Sequence, residues 1–294
     1  MRVLRSLVTV ALLAVAGCGS GELGGGRPVL EVFPDAVLAD CVVAAAGVPS
    51  SSSPVTPQGL AAITELQCDG QRSTAGPVRS LEGVQELTGL TTLGVAHNAI
   101  SDLGPLAGSS IGTLTLTDND VTDLSPLTGL PLVDLGLSQN PVADLAPLAG
   151  TTTLRTLGVA AAQLTDIPPL AGHDGLAELD LSSNGVVDVA PLAGLANLDT
   201  VRLARNAVVD PAPLGTVPTL LVLDLFGNQV ADVTGLAGAP LLQELQLGAN
   251  PVTDLRPLLR VGTLINLGLD ETDGTRLTGV AELRAAGVSV NGLA

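Results

Sequence analysis

Few residues in this chain of 294 could do chemistry: it has two histidines, three cysteines, no lysine and no tyrosine. Gly108 to Gly112 reads G-x-S-x-G, which in hydrolases places a nucleophilic serine on a sharp turn between a strand and a helix. Here the stretch lies at a joint leading into a strand, so we expect no serine nucleophile. His97 and His173 have no motif partner, and we interpret both as solvated surface residues rather than ligands.

Cofactor and metal motifs are equally weak. Gly19 to Gly24 matches G-x-G-x-x-G, but it neither follows a predicted strand nor opens a helix, so it does not indicate a dinucleotide site. No spacing is typical of zinc, and the aspartates lack the pattern of a calcium loop. The net charge of −17 disfavours nucleic acid, whose phosphates an acidic chain repels. We therefore expect no enzymatic activity, no cofactor, no metal and no nucleic-acid partner.

The start of the chain, up to Cys18, indicates export. Arg2 and Arg5 precede an apolar run from Leu7 to Ala16, and small residues lead to Cys18. The run of about ten residues is shorter than the roughly 20 that a membrane-spanning helix needs. The sequence VAGC, ending at Cys18, resembles a bacterial lipobox, which implies that Cys18 carries lipid and becomes the mature N-terminus. The alternative is an ordinary signal peptide with an incidental cysteine.

On this interpretation, residues 1–17 are a lipoprotein signal peptide and residues 18–30 a lipidated, glycine-rich flexible tether. Removing residues 1–17 leaves ten arginines against 29 acids, a side-chain balance of −19. Such a protein gains nothing from anionic lipid, so the acyl chains alone must hold it. The sequence predicts an exported, membrane-anchored lipoprotein of a bacterial envelope, at the outer membrane or cell surface.

A repeat of about 22 residues organises most of the chain. Units such as LAELDLSSN, from Leu176, follow L-x-x-L-x-L-x-x-N. The alternating leucines predict a strand with one buried face, and stacked copies predict parallel strands about 4.8 Å apart. The low aromatic content of 1% suits a stack of aliphatic layers. The repeated asparagines are Asn98, Asn119, Asn140, Asn184, Asn206, Asn228 and Asn250.

Each repeat carries two polar signals. We expect the asparagine amide to turn inward and satisfy backbone groups that water cannot reach. Ala162 interrupts this ladder, so water or a local rearrangement must compensate. The segment PVADLAPLAG, from Pro141 to Gly150, predicts a short helical turn on the convex side. Asp144 can cap this turn, and Pro147 fits within its first residues. The aspartates of this slot are Asp102, Asp123, Asp144, Asp166, Asp188, Asp210, Asp232 and Asp254.

The repeat resembles the leucine-rich repeat, and its form with DLxPL resembles the internalin-like bacterial branch. The resemblance implies an α/β solenoid with a parallel concave sheet and short helical or irregular convex turns. The FPD sequence at Phe33 to Asp35 and the residues that follow resemble the N-terminal helical cap of the same proteins. We predict this cap at residues 31–62 and the solenoid at residues 63–294, with a closing helical turn and a strand at Val288 to Val290.

Cys41 and Cys68 are the cysteines that remain after lipidation. In an exported protein we expect them to form a disulfide. Two buried free thiols are the alternative.

The concave sheet is the candidate partner surface. Its first half carries small side chains at the central outward position, such as Gly94 and Thr115. Phe226 is the candidate anchor for a partner, the alternative being an exposed ring without a role. Arg202 could instead be neutralised in an ion-pair ladder between Asp180 and Asp224. The candidate binding residues are Glu178, Asp180, Arg202, Arg205, Asp224, Phe226, Glu244 and Gln246.

Two functions fit these features. The first is a non-enzymatic binding protein, adhesive in character, that offers the concave face to a protein or glycan. The second is a periplasm-facing scaffold or inhibitor lipoprotein of the envelope. We expect a monomer in both cases. The family resemblance suggests adhesion, but this chain lacks the aromatic-rich concave surface that internalins present.

Overall fold

The structure, a computed structural model, describes residues 26–293. The predicted signal peptide, Cys18 and most of the tether lie outside this range. Eleven parallel strands form one sheet in chain order, with an antiparallel pair of two-residue strands near the start. The strands are β1 Arg27–Pro28, β2 Pro54–Val55, β3 Glu65–Gln67, β4 Thr92–Gly94, β5 Thr113–Thr115, β6 Asp134–Gly136, β7 Thr156–Gly158, β8 Glu178–Asp180, β9 Thr200–Arg202, β10 Val222–Asp224, β11 Glu244–Gln246, β12 Asn266–Thr272 and β13 Ser289–Leu293.

The predicted solenoid is confirmed. Helices α1 Val29–Val32, α2 Ala36–Ala46 and α3 Pro57–Ala61 lie at its start, and helix α4 Val280–Ala285 precedes the last strand. Every return path between β3 and β12 includes a 3-10 turn, such as Ala146–Leu148. Eleven strands at a spacing of about 4.8 Å make a sheet roughly 48 Å long.

The core is one continuous stack of aliphatic side chains. In the repeat around β8, Leu176, Leu179 and Leu181 are fully buried, and so are the corresponding residues of neighbouring repeats. The convex turn adds its own layer, since Val142, Leu145 and Leu148 are at most 1% exposed. Because each layer meets copies of itself, stability comes from contacts between neighbouring repeats.

The asparagine ladder forms as predicted. Asn140 donates through Nδ2 to the carbonyls of Leu116 and Leu137, at 2.8 and 3.0 Å, and accepts the N–H of Val121 through Oδ1 at 2.9 Å. The residue before each ladder position has a left-handed backbone, including Ala161 with φ 51°. At the gap, a local rearrangement compensates: Val142 donates its N–H to Asn140 O at 2.8 Å instead of to a ladder amide.

The convex aspartates cap the turns, with one exception. Asp144 accepts the N–H of Ala146 at 2.7 Å, and six other aspartates of the slot make the equivalent bond. At Asp166 the corresponding residue is Pro168, which has no N–H, and Asp166 accepts the hydroxyl of Thr165 instead. The backbone N–H and then the hydroxyl of Ser125 lower the pKa of Asp123. These carboxylates therefore serve the fold.

The cap is attached by two different links. The carboxylate of Asp35 caps α2 by accepting the N–H of Val37 and Leu38, and its other oxygen accepts the N–H of Arg79 at 2.7 Å. The predicted disulfide joins Cys41 on α2 to Cys68, with 5.7 Å between their Cα atoms. Cys68 directly follows β3. Both links connect the cap to the first repeat.

The surface assignment of His173 is wrong. Its side chain is 1% exposed, and Nε2 lies 3.0 Å from Leu148 O. His173 and Thr151 occupy equivalent places in adjacent repeats, a slot filled by Leu130 and Leu195 in the flanking ones. Within residues 26–293, neither Nδ1 of His173 nor Oγ1 of Thr151 has a hydrogen-bond partner. Two adjacent layers of the core therefore bury polar atoms at a cost.

Thr151→Val should stabilise the protein by about 1 kcal/mol, because valine keeps the shape and removes a buried hydroxyl that has no partner. Thr219→Val is the matched control. The hydroxyl of Thr219 donates to Leu198 O at 2.9 Å, so its loss should destabilise by a similar amount. Chemical denaturation of the three proteins checks this. A Thr151→Val protein less stable than the wild type would contradict the expectation.

Candidate partner-binding face

The candidate residues lie on four neighbouring repeats of the concave face. Asp180, Arg202, Asp224 and Gln246 are register partners across β8 to β11, so they form one column. Glu178 and Glu244 belong to a second column on the same surface. Arg205 and Phe226 follow β9 and β10. The sheet thus brings all eight residues into one region.

The interpretation of Arg202 as part of an ion-pair ladder with Asp180 and Asp224 is wrong. Within residues 26–293, no carboxylate lies within 4.0 Å of the guanidinium of Arg202 or Arg205. The neighbouring aspartates turn to their own backbone instead: Asp180 accepts the N–H of Ser182, and Asp224 accepts that of Phe226, both at 2.9 Å. Such bonds to the backbone two residues ahead are local, and they compete with pairing to the neighbouring arginine. The two exposed guanidinium groups remain available.

Phe226 is half-buried rather than fully displayed. Its neighbour Gly227 fills the left-handed corner position, where other repeats carry a side chain. A Cβ at Gly227 would lie 3.5 Å from Cγ of Arg205, so the arginine stem packs beside this glycine. Phe226, Gly227 and Arg205 therefore form one local feature with an apolar ring, an opening and a cation.

The rest of the face offers less. The column that contains Asp180 and Arg202 continues with Gly94, Gly136 and Gly158 on β4, β6 and β7. The candidate Gln246 lies with its amide over Gly268, and Gln67 covers Gly94 in the same way. Gln246 is therefore engaged with the sheet surface, whereas Glu178 and Glu244 are exposed. Charged groups on this face concentrate between β8 and β11.

His97 also differs from its assignment. It is partly buried, and Nδ1 lies 3.1 Å from Oδ1 of Asp69. The backbone N–H of Gln71 is the main cause of the lowered pKa of Asp69, and His97 contributes further. No motif in the sequence signals this pair, because its members belong to different repeats.

Other chemistry finds little support in the described residues. Ser110 of the G-x-S-x-G stretch precedes β5, and a strand rather than a helix follows it. Between residues 26 and 293, no three His, Cys, Asp or Glu side chains are grouped to hold a metal ion. No helix in this range is long and apolar enough to cross a membrane.

A long parallel sheet with a short 3-10 turn in every coil from β3 to β12 and an inward asparagine ladder defines a leucine-rich repeat protein. No protein-family model and no curated protein matches the sequence. Solved structures do match. An internalin (inlF) of Listeria monocytogenes has 25% identity, covers 90% of both chains and superposes with a TM-score of 0.69.

Internalin C2 of the same organism is 31% identical over 85% of this chain and 100% of its own, with a TM-score of 0.64. A leucine-rich repeat protein of Leptospira interrogans is 20% identical over 72% of this chain and 57% of its own, with a TM-score of 0.65, and shows the fold alone. The chain therefore belongs to the internalin-like leucine-rich repeat proteins of bacteria.

Proposed function

We propose that this protein is a non-enzymatic lipoprotein of a bacterial cell envelope that binds a protein or glycan on the concave face between β8 and β11. The carrying observation is that the exposed guanidinium groups of Arg202 and Arg205, beside the half-buried ring of Phe226, have no ion-pair partner among residues 26–293. Arginine and aromatic side chains are typical of binding hot spots. A rigid sheet also loses little conformational entropy on binding.

Binding should depend on these side chains and stability should not. Phe226→Ala, Arg202→Ala and Arg205→Ala should each weaken the complex by about 2 kcal/mol, roughly 30-fold in Kd. Arg205→Gly tests the loss of the arginine side chain without backbone strain, because φ is 56° at this residue and glycine tolerates that backbone. The partner is first captured by cross-linking in the native envelope, and affinities are then compared with purified proteins.

Thr115→Ala is the control, because Thr115 is exposed on the same face at β5. It should change neither affinity nor melting temperature. Unchanged affinity in the three variants, together with weaker binding of Thr113→Ala or Thr115→Ala, would place the site on the other half of the sheet.

The lipid anchor rests on the sequence from Met1 to Cys18. Cys18 should incorporate a labelled fatty acid, and Cys18→Ala should yield soluble or unprocessed protein. Metabolic labelling checks this, and a wild-type protein without label would rule the anchor out. Because anionic membranes repel this acidic chain, the acyl chains on Cys18 must supply the attachment.

A periplasm-facing scaffold or inhibitor is the second candidate. It is favoured by the scarcity of aromatic residues, because Phe33 is fully buried in the cap and only Phe226 lies on the concave face. Protease treatment of intact cells distinguishes the two candidates. Cleavage without permeabilisation supports surface display, and cleavage only after permeabilisation supports the periplasmic scaffold.

A further inference from the structure

One repeat is longer than the others. Register partners on neighbouring strands keep a nearly constant sequence separation from β4 to β13, as in Thr92↔Thr113 and Asn266↔Ser289. The partners Glu65 and Thr92, on β3 and β4, are distinctly further apart in sequence. Insertions in repeat proteins form loops on one face, often the face that binds. The stacking of repeats therefore does not account for the extra residues between β3 and β4.

The extra residues build one wall of a cleft. The cleft has a volume of about 610 Å³ and lies between the loop around Arg72 and Thr74 and the outer side of α2, at Asp40 and Ala44. Both disulfide-bonded cysteines line it. This volume falls within the range typical of small-ligand sites, about 300 to 1,000 Å³. The disulfide fixes the two walls relative to each other.

The base of the loop is anchored. Gly70 donates its N–H to Ala96 O at 2.9 Å, and a side chain at Gly70 would collide with the carbonyl of His97. Oδ1 of Asp69 accepts the N–H of Gln71 at 2.9 Å and contacts His97. Asp69 is therefore committed to holding the loop.

Two other charges in the cleft have no such role. Asp40 on α2 and Arg72 on the inserted loop are both exposed. Within residues 26–293, neither lies within 4.0 Å of an opposite charge. The cleft thus presents the carboxylate of Asp40 on one wall. The other wall presents the guanidinium of Arg72 near the carboxylate of Asp69, which already accepts an N–H from its own loop. Small apolar side chains, Val37, Ala44 and Ala75, complete the lining.

We propose that this cleft binds a short peptide with free termini, whose ammonium group pairs with Asp40 and whose carboxylate pairs with Arg72. Arginine binds carboxylates through paired N–H groups, and an ammonium group suits a single carboxylate. The small apolar lining favours small side chains on the peptide. This site is separate from the concave face between β8 and β11, and it does not depend on the partner proposed there.

The test uses the purified full chain and two probes, trialanine with free termini and N-acetyl-trialanine amide. Saturation-transfer NMR and calorimetry should detect binding of free trialanine only. Asp40→Asn and Arg72→Gln should each weaken it at least tenfold. Asp120→Asn and Arg260→Gln are matched controls, because both residues are exposed and lie outside the cleft, and they should bind as the wild type does.

Equal binding of the blocked peptide would overturn the proposal, since it would show that the charged ends do not matter. No binding of free trialanine by the wild type would also overturn it. Weakening in only one of the two cleft variants would contradict the two-ended mode. Melting curves of all four variants should overlay that of the wild type, because none of these side chains makes a described ion pair.

Discussion

Replacing both Cys41 and Cys68 with alanine should lower the free energy of unfolding by about 3.5 kcal/mol, the value expected for a cross-link that closes a loop of this length. The two cysteines are 27 residues apart in sequence. Alanine is preferred to serine because Cys68 is only 3% exposed, and a buried hydroxyl would add its own penalty. The loss should fall on the cap, because neighbouring repeats in a solenoid contribute separately to stability.

The cap should loosen without detaching. Asp35 still holds α2 to the N–H groups of Arg79 and Ser80, and Phe33 remains fully buried. Hydrogen exchange should therefore show faster exchange of α2 amides and unchanged exchange around β8 to β11. Wild-type protein treated with a reducing agent is the control and should behave like the double variant. If the oxidised wild type and the double variant have the same melting temperature, the disulfide is not a stabilising link.

The sequence predicted the architecture because a repeat constrains its own geometry. Equivalent residues must stack, so the positions of Leu179, Asn184 and Asp188 in one unit predict those in the next. The cap helix and the closing strand were also predictable, since Asp35 caps α2 and β13 includes Val290. Periodicity therefore identifies which residues face the core, the convex turn and the concave surface.

Side-chain direction was harder to predict. Adjacent rungs place Arg202 between Asp180 and Asp224, but both carboxylates accept a backbone N–H two residues ahead. That competition cannot be judged from charge alone. His173 was predictable in principle, because aligning it with Leu130 and Leu195 places it in an apolar slot. The prediction that His173 lies at the surface gave more weight to the polarity of histidine than to this alignment.

The cleft was not predictable from repeat spacing. The longer sequence separation between the register partners on β3 and β4 could have been noticed, but whether the extra residues form a cleft depends on where α2 packs. Cap and loop meet only after folding, because Asp40 and Arg72 belong to different elements. Long-range juxtapositions of this kind leave no periodic signal.

The asparagine ladder contains a redundancy that the gap at Ala162 removes. Where two ladder asparagines follow each other in successive repeats, two amides serve the same buried carbonyl: Leu116 O accepts from Asn119 at 2.9 Å and from Asn140 at 2.8 Å. Leu137 O accepts from Asn140, and the second ladder donor would come from residue 162, which is alanine. Asn140 is therefore the one ladder amide that reaches Leu137 O.

Asn140→Ala should consequently destabilise more than Asn119→Ala. Both substitutions deprive one backbone N–H of its acceptor, that of Val121 or that of Ile100. Only the change at Asn140 also leaves a carbonyl without a ladder donor. With about 1 to 3 kcal/mol for each buried group left unpaired, we expect a loss of about 3 kcal/mol at Asn140 and about 1.5 kcal/mol at Asn119. Urea denaturation of the two variants measures the difference.

Restoring the missing amide should abolish that difference. The backbone at Ala161 already has the left-handed conformation that precedes ladder asparagines, with φ 51°. An asparagine introduced by Ala162→Asn can therefore donate to Leu137 O, as Asn184 donates to Val159 O at 2.7 Å. In the Ala162→Asn background, Asn140→Ala should cost about 1.5 kcal/mol, a coupling energy of similar size between the two sites. Additive effects of the two substitutions would show that Leu137 O is satisfied in another way, and the redundancy of the ladder would not explain its stability.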